Sequence, residues 1–125
     1  MPKHEFRSQC SIARTLELVG DKWTLLVVRD LMWHGKRTFQ ALQSSDEGVP
    51  TNILADRLKR LEAWGLVSRE AYQQRPVRYA YHLTAEGRSL EPVLREIMSW
   101  GHDHLGGGLF DPATGRSTRP QQRQK

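Results

Sequence analysis

The sequence predicts a mainly α-helical domain that carries one small β-hairpin. Three observations point there. Apolar residues recur at helical spacing in several separate segments, glycines at 20, 35 and 65 close those segments, and two runs of β-branched and aromatic residues between 66 and 84 flank a polar turn. At 125 residues the chain is one domain's worth, long enough for a real core and short for a two-domain enzyme.

Each element has its own signal. Ile12, Leu16 and Val19 recur at spacings of four and three, one face of a helix running from Cys10 to Val19. Gly20 stops it, and Asp21 is placed to cap the next helix. The second helix, "KWTLLVVRDLMWH", is apolar on almost every side except at Arg29 and Asp30, so it should be the most buried element. Gly35 ends it. A short third helix from Thr38 to about Gln43 buries Phe39 and Leu42, with the Thr38 hydroxyl as its N-cap.

"SSDEGVP" is a turn-rich connection to a fourth helix that starts near Pro50 or Thr51. Proline suits the first turn and Thr51 can cap it. Gly65 closes this helix. "LVSREAY", "QQRP" and "VRYAYHLT" then form the hairpin, with Val77, Tyr79 and Tyr81 on one face and Arg78, Ala80 and His82 on the other, so one face can pack while the other meets solvent. A last long helix starts after the cap Thr84 and carries Leu90, Val93, Leu94, Ile97, Met98 and Leu105, a stripe longer than a domain of this size needs for its own core. Pro92 calls for a kink or a late start. The expected organisation is an N-terminal arm at 1–9, a domain at 10–105, and a flexible basic tail at 106–125, where Gly, Pro, Gln and Arg dominate and little can be buried.

The composition is ordinary, 38% hydrophobic and 26% charged, but the balance is basic, with net charge +5 and pI ≈ 9.8. Such an excess suggests an anionic partner, and the prominence of arginine favours planar recognition of phosphate. The single cysteine, Cys10, permits no intrachain disulfide and fits a reducing compartment. "MPKHEFRSQC" has no apolar h-region, and no stretch approaches the ~20 apolar residues of a membrane span. The expectation is a soluble, cytoplasmic protein with no membrane partner.

The fourth helix has two distinct faces. At about 100° per residue, Leu54, Leu58 and Leu61 fall together, flanked by Ile53 and Trp64. Asn52, Ala55, Asp56, Lys59 and Ala63 fall opposite. That outer face mixes small residues with hydrogen-bonding ones, so another surface can approach closely, as a helix in a DNA major groove requires. Arg57 falls toward the apolar arc and should snorkel to a carboxylate or a phosphate instead of reading a base. A short helix, a turn, an amphipathic helix, a glycine and an arginine-bearing hairpin, in that order, make a winged helix-turn-helix. Gln73, Gln74, Arg75 and Pro76 form the expected wing turn, with Arg78 behind it.

These residues resemble the HxlR-type winged helix-turn-helix transcriptional regulators of bacteria, relatives of the MarR regulators. The resemblance covers about Cys10 to Leu105. It rests on "CSIARTLELVGDKWTLLVVRDL", on Gly35 with "RTFQAL" after it, on "VPTNILADRLKRLEAWGLVSRE" and on "RPVRYAYHLTAEGRSLEPVL". Pro50 departs from the pattern, which often has a small polar residue there. The resemblance implies a homodimer joined through the N- and C-terminal helices that presents two recognition helices to an inverted-repeat operator, with repression as the usual outcome. It implies that Thr51, Asn52, Ala55 and Asp56 lie near base edges, and that Arg37, Thr38, Lys59, Arg75 and Arg78 make backbone and wing contacts. Asn52 can pair bidentately with adenine. Asp56 can accept from a cytosine amino group or act against wrong sequences.

Cys10 lies just before a helix N-terminus with Arg7 and Arg14 near in sequence, features that lower a thiol pKa. Some regulators of the resembling family sense oxidants or electrophiles with a cysteine here; the alternative is a small buried residue at a dimer contact. Other candidates carry less. His102 and His104 do not share a helical face and have no evident third ligand, so no metal is expected. Gly106 to Gly108 lack the lysine and context of a phosphate loop and form a linker. Trp23, Trp33, Trp64 and Trp100 sit within apolar stripes, as core or dimer contacts do. No nucleophile with a base is evident, so an enzyme is not expected, and no cofactor is called for. A winged-helix protein-interaction module without specific DNA binding is the alternative function, opposed by the basic wing and by the polar outer face of the fourth helix.

Overall fold

The computed structural model describes residues 4–120. In chain order the elements are α1 (Ser11–Val19), α2 (Thr24–Trp33), α3 (Phe39–Gln43), α4 (Thr51–Ala63), β1 (Val67–Gln74), β2 (Val77–Leu83), α5 (Ala85–Arg88), α6 (Glu91–Leu105), β3 (Phe110–Asp111) and β4 (Arg116–Ser117). They fall into two compact units, Met1–Arg88 and Ser89–Lys125. The first holds the helix-turn-helix and its hairpin wing. The division falls inside the expected domain at 10–105 and not at its end, because α6 groups with the segment C-terminal to it.

In the first unit, α2 contributes Val27, Val28 and Leu31 to a core completed by Leu42 of α3, by Leu54, Leu58 and Leu61 of α4, and by Leu66, Val67 and Leu83 at the base of the hairpin. Asp21, the expected cap of α2, holds the turn that leads into it, while Trp23 occupies the N-cap position itself. The Asp21 Oδ2 accepts from the backbone N–H groups of Trp23 (3.0 Å) and Thr24 (3.1 Å). Thr38 caps α3, its hydroxyl accepting from Ala41 N at 3.1 Å.

Thr51 does not cap α4. Pro50 occupies that position in extended conformation, its carbonyl accepting from Leu54 N at 2.9 Å, while Thr51 is already helical and its hydroxyl accepts from the Gln43 amide of α3. Proline has no N–H to satisfy and its ring pre-sets φ, so a polar cap is replaced by stiffness. At the other end, Gly65 (φ +77°) adopts the left-handed conformation, Leu66 N donates to Leu61 O at 2.9 Å and Gly65 N to Glu62 O at 3.0 Å. This pair of bonds is the Schellman motif, and the buried Leu61 and Leu66 are its apolar clasp.

The hairpin is antiparallel from Val67↔Leu83 to Gln74↔Val77, so the turn narrows from the expected 73–76 to Arg75 and Pro76. The register shifts between Ala71 and Gln73, leaving Tyr72 as the extra residue of a bulge. The expectation of one packed and one solvent face also changes, because Tyr79, Ala80, Tyr81 and His82 are all half-buried. The chain before α3 lies along β2: Tyr81 N donates to Arg37 O at 2.7 Å, and Thr38 bridges Ala80.

The last helix is interrupted. Thr84 caps α5, accepting from Gly87 N at 3.1 Å, and α6 starts late, with Pro92 in its first turn. In the second unit the segment expected as a structureless tail contains the β3–β4 hairpin. Its turn is pinned by Asp111, whose carboxylate accepts from Ala113 N (2.9 Å) and whose carbonyl accepts from Gly115 N (2.7 Å). Side-chain turn chemistry builds its turn, and Phe110 N donates to Met98 Sδ of α6 at 3.3 Å. Among the described residues, no helix is long and apolar enough to cross a membrane.

Candidate nucleic-acid interface

The two faces of α4 separate as its sequence dictates. Leu54, Leu58 and Leu61 are buried, while Asn52, Ala55, Asp56, Lys59 and Ala63 are all exposed. A polar, small-residue surface on a helix anchored by three leucines is rigid, flat and able to approach another molecule closely.

Polar attachments hold α4 at both ends and in the middle. The loop before it is fixed by a charge network beneath its first turn. Arg29 of α2 donates to both oxygens of Glu47 (2.9 and 2.8 Å), while its Nε and Nη2 also bond the buried Asp30 (3.0 and 2.9 Å). Ser45 donates to the other Asp30 oxygen, and Lys36 Nζ reaches Ser45 Oγ at 3.1 Å. The Arg29 hydrogen bonds hold the Glu47 carboxyl down at about 2, well below its ordinary 4.5. At the far end, Arg69 of β1 pairs with Glu62 (3.3 Å) and stacks on Tyr79 (4.2 Å), joining wing to helix. In the middle, Arg57 turns away from the exposed face. Its Nε donates to Asp21 Oδ2 at 2.8 Å and its Nη1 to Asp56 Oδ2. Burial alone would raise the Asp21 carboxyl, but the hydrogen bonds from Thr24, Arg57 and the Trp23 N–H override it and hold Asp21 well below the carboxylate range. The snorkelling expected of Arg57 thus ends on a carboxylate.

The remaining predicted contact residues divide by element. Arg75 and Arg78 are exposed on the wing, with Gln73 Nε2 donating to the Pro76 carbonyl (3.1 Å) to brace its tip. Arg37 is exposed and its Nη1 lies 3.1 Å from His82 Nδ1. Thr38 and Arg78 come together as walls of one groove of ≈ 560 Å³ between α3 and the wing. Gln40, Gln43 and Tyr72 line the same groove, and sequence reasoning missed all three. Gln40 and Gln43 stand i, i+3 on α3 and could have been found from that spacing, whereas Tyr72 is presented by a bulge that alternation does not reveal.

Cys10 is exposed at the N-cap of α1 and its side chain makes no capping bond. Arg14 is committed elsewhere. It donates to Ser8 O (2.7 Å) and Gln9 Oε1 (3.2 Å) and stacks on Phe6 at 4.8 Å. The described part of the N-terminal arm, from His4 on, is docked: His4 and Phe6 pack on Trp64, and Glu17 receives His4 and the Arg7 N–H. In the second unit, His102 Nδ1 donates to the Gly107 carbonyl at 2.7 Å.

A family model described as HxlR-like helix-turn-helix matches residues 18–107. An uncharacterised HTH-type transcriptional regulator of Mycobacterium tuberculosis is 39% identical over 102 residues, 82% of this chain and 63% of that protein. The match thus spans less than two thirds of that relative's length. Among solved structures, the redox regulator HypR in its oxidised form gives a TM-score of 0.68 at 33% identity, covering 76% of this chain and 97% of the other. The reduced form of the transcriptional regulator YodB from B. subtilis gives 0.64 at 28% identity, covering 82% and 100%.

Proposed function

The chain belongs to the HxlR-like helix-turn-helix family, and on that premise we propose that it is a cytoplasmic, sequence-specific DNA-binding transcriptional regulator that works as a homodimer on an inverted-repeat operator and represses. The observation that carries this is the division of α4 into a buried leucine face and an exposed face of Asn52, Ala55, Asp56 and Lys59. Thr51, Asn52, Ala55 and Asp56 meet base edges. Asn52 reads adenine through two hydrogen bonds, and Ala55 admits the helix closely. Thr51 keeps its own O–H to donate, since its oxygen already accepts from Gln43. Asp56 retains Oδ1 for a cytosine amino group, because Arg57 takes Oδ2. Arg37, Thr38, Lys59, Arg75 and Arg78 contact phosphates or the adjoining groove.

Two apolar surfaces support the dimer. Ile12 and Leu16 of α1 are 72% and 56% exposed, and Ile97 and Trp100 of α6 are 52% and 58% exposed. Large side chains left in water at helical spacing suit a second copy of the chain. Cys10 stands exposed at the N-cap position of one of these helices, which supports a sensing role. Two Cys10 thiols in a dimer would pass two electrons and two protons to an oxidant and join as a disulfide, or each thiolate would add to a quinone or aldehyde. HypR, a structural neighbour, is described as a redox regulator.

The test is salt-titrated binding to the DNA upstream of its own gene and to random DNA. Affinity for the upstream DNA should exceed that for random DNA by at least ~10³ and fall steeply with salt. Equal affinity for both would favour an interaction module instead.

A further inference from the structure

Two arginines on α4 grip the junction between α1 and α2. The end of a helix leaves its last carbonyls without intrahelical donors, and the partial negative charge there favours a cation. α1 has no basic residue in its own last turn. Arg60 supplies one from α4, its Nη2 donating to the carbonyls of Glu17 (3.2 Å) and Leu18 (3.3 Å). One turn earlier, Arg57 bonds Asp21 Oδ2, the same oxygen that holds the turn leading into α2. Between these points the backbone is tight: a Cβ on Gly20 would lie 2.3 Å from the Leu16 carbonyl oxygen. Positions i and i+3 share a helix face, so the two arginines form a two-point attachment. Added to the buried leucines, two contacts on one face resist both rotation and displacement of α4 against the junction.

We propose that Arg57 and Arg60 are positioning residues that clamp the recognition helix to α1, so that α1 sets the angle and separation of the two recognition helices and hence the half-site spacing the protein accepts. The proposal rests on the dimeric DNA-binding function above, with α1 in the dimer contact through its exposed Ile12 and Leu16. Neither arginine touches DNA. Both reach the α1–α2 junction, with Arg57 also bonding Asp56 beside it, whereas Lys59 on the outer face between them does not.

The experiment uses the full chain with Asp21→Asn, Arg57→Gln, Arg60→Met and Arg60→Lys, each checked for folding by urea unfolding. Asp21→Asn keeps an amide oxygen for the backbone N–H groups but loses both the charge that holds Arg57 and the oxygen that accepts from the Thr24 hydroxyl, so Arg57→Gln, which leaves those Asp21 bonds in place, is the folded test protein if Asp21→Asn or Arg60→Met is unstable. Each variant is titrated against the operator at native spacing and with one base pair inserted at its centre, which turns one half-site by about 35° relative to the other. Wild type should discriminate strongly between the two. Asp21→Asn and Arg60→Met should each lose about tenfold of that discrimination, with the salt slope unchanged and Arg60→Lys restoring most of it. Asp21→Asn combined with Arg57→Gln should cost no more than either change alone, since both break one link. Unchanged discrimination in the folded variants would overturn the clamp. So would an equal loss on operator and random DNA with a shallower salt slope, which would make the arginines phosphate contacts. A wild type that binds no inverted repeat would overturn the proposed function itself, and the clamp with it.

Discussion

Asn52 and Leu54 stand two residues apart on α4, one exposed and one wholly buried, and replacing each with alanine should produce opposite phenotypes. Leu54→Ala removes roughly three methylene equivalents at about 0.8 kcal/mol each. The surrounding leucines cannot fully collapse into the space, so the residual cavity brings the cost to about 3 kcal/mol, inside the range of about 2 to 5 seen for such changes. That is a large share of the roughly 5 to 15 kcal/mol that holds a domain together. Asn52→Ala touches no core contact and should change stability by less than about 0.5 kcal/mol. It removes a bidentate base contact, however, and should cost about 1 to 3 kcal/mol on one base pair of each half-site. The assays are urea unfolding monitored by tryptophan fluorescence, and titration of operators carrying single base-pair changes. If Asn52→Ala destabilised the fold while leaving base discrimination intact, or Leu54→Ala left stability unchanged, the assignment of the two faces of α4 would be wrong.

Four further outcomes are expected. Arg75→Ala should weaken binding to all sequences alike and reduce the magnitude of the salt slope by about 1, measured by titration at several ionic strengths. Cys10→Ser should abolish release of operator by diamide, quinones or aldehydes in a mobility-shift assay; an unchanged response would end the case for sensing by this thiol. Replacing Ile97 and Trp100 together with glutamate should shift the protein from dimer to monomer in sedimentation and lower operator affinity much more than random-DNA affinity. Glu47 has a carboxyl depressed to about 2 from 4.5, so its stabilising contribution is fully present above its ordinary value and is lost as pH falls through the lower one. The urea midpoint should therefore drop between about pH 5 and about pH 2, and Arg29→Met should lower it above that range and flatten the dependence within it.

What could be foreseen depended on how local its cause was. The stripe of Leu54, Leu58 and Leu61, the cap at Thr38 and the stop at Gly65 are set by residues within a turn or two of each other, and all three stand in the structure as expected. Arg57 could be placed toward the apolar arc from helix geometry alone, but its partner Asp21 lies 36 positions away and no local pattern names it. Pro50 capping α4 in place of Thr51 reflects a competition: Thr51 entered the helix, and its hydroxyl went to Gln43, a residue of another element. The bulge at Tyr72 and the β3–β4 hairpin escaped the hydrophobic pattern for a common reason. Neither leaves an alternating apolar run to read: one is a register fault in a ladder and the other a short hairpin whose turn is pinned by Asp111. The expected DNA contacts of Arg37, Thr51, Asn52, Ala55, Asp56, Lys59, Arg75 and Arg78 all lie on exposed residues. Thr38 is half-buried and spends its hydroxyl as a cap, which leaves it a narrower part in any phosphate contact.

The central claim is that two copies of α4 read an inverted repeat. Selection of bound fragments from randomised DNA, with footprinting of the winners, addresses it most directly. The expected result is one enriched motif with two-fold symmetry, its half-sites about one helical turn apart at their centres, protected together. Enrichment of a single asymmetric site, or no enrichment over the starting pool, would contradict it.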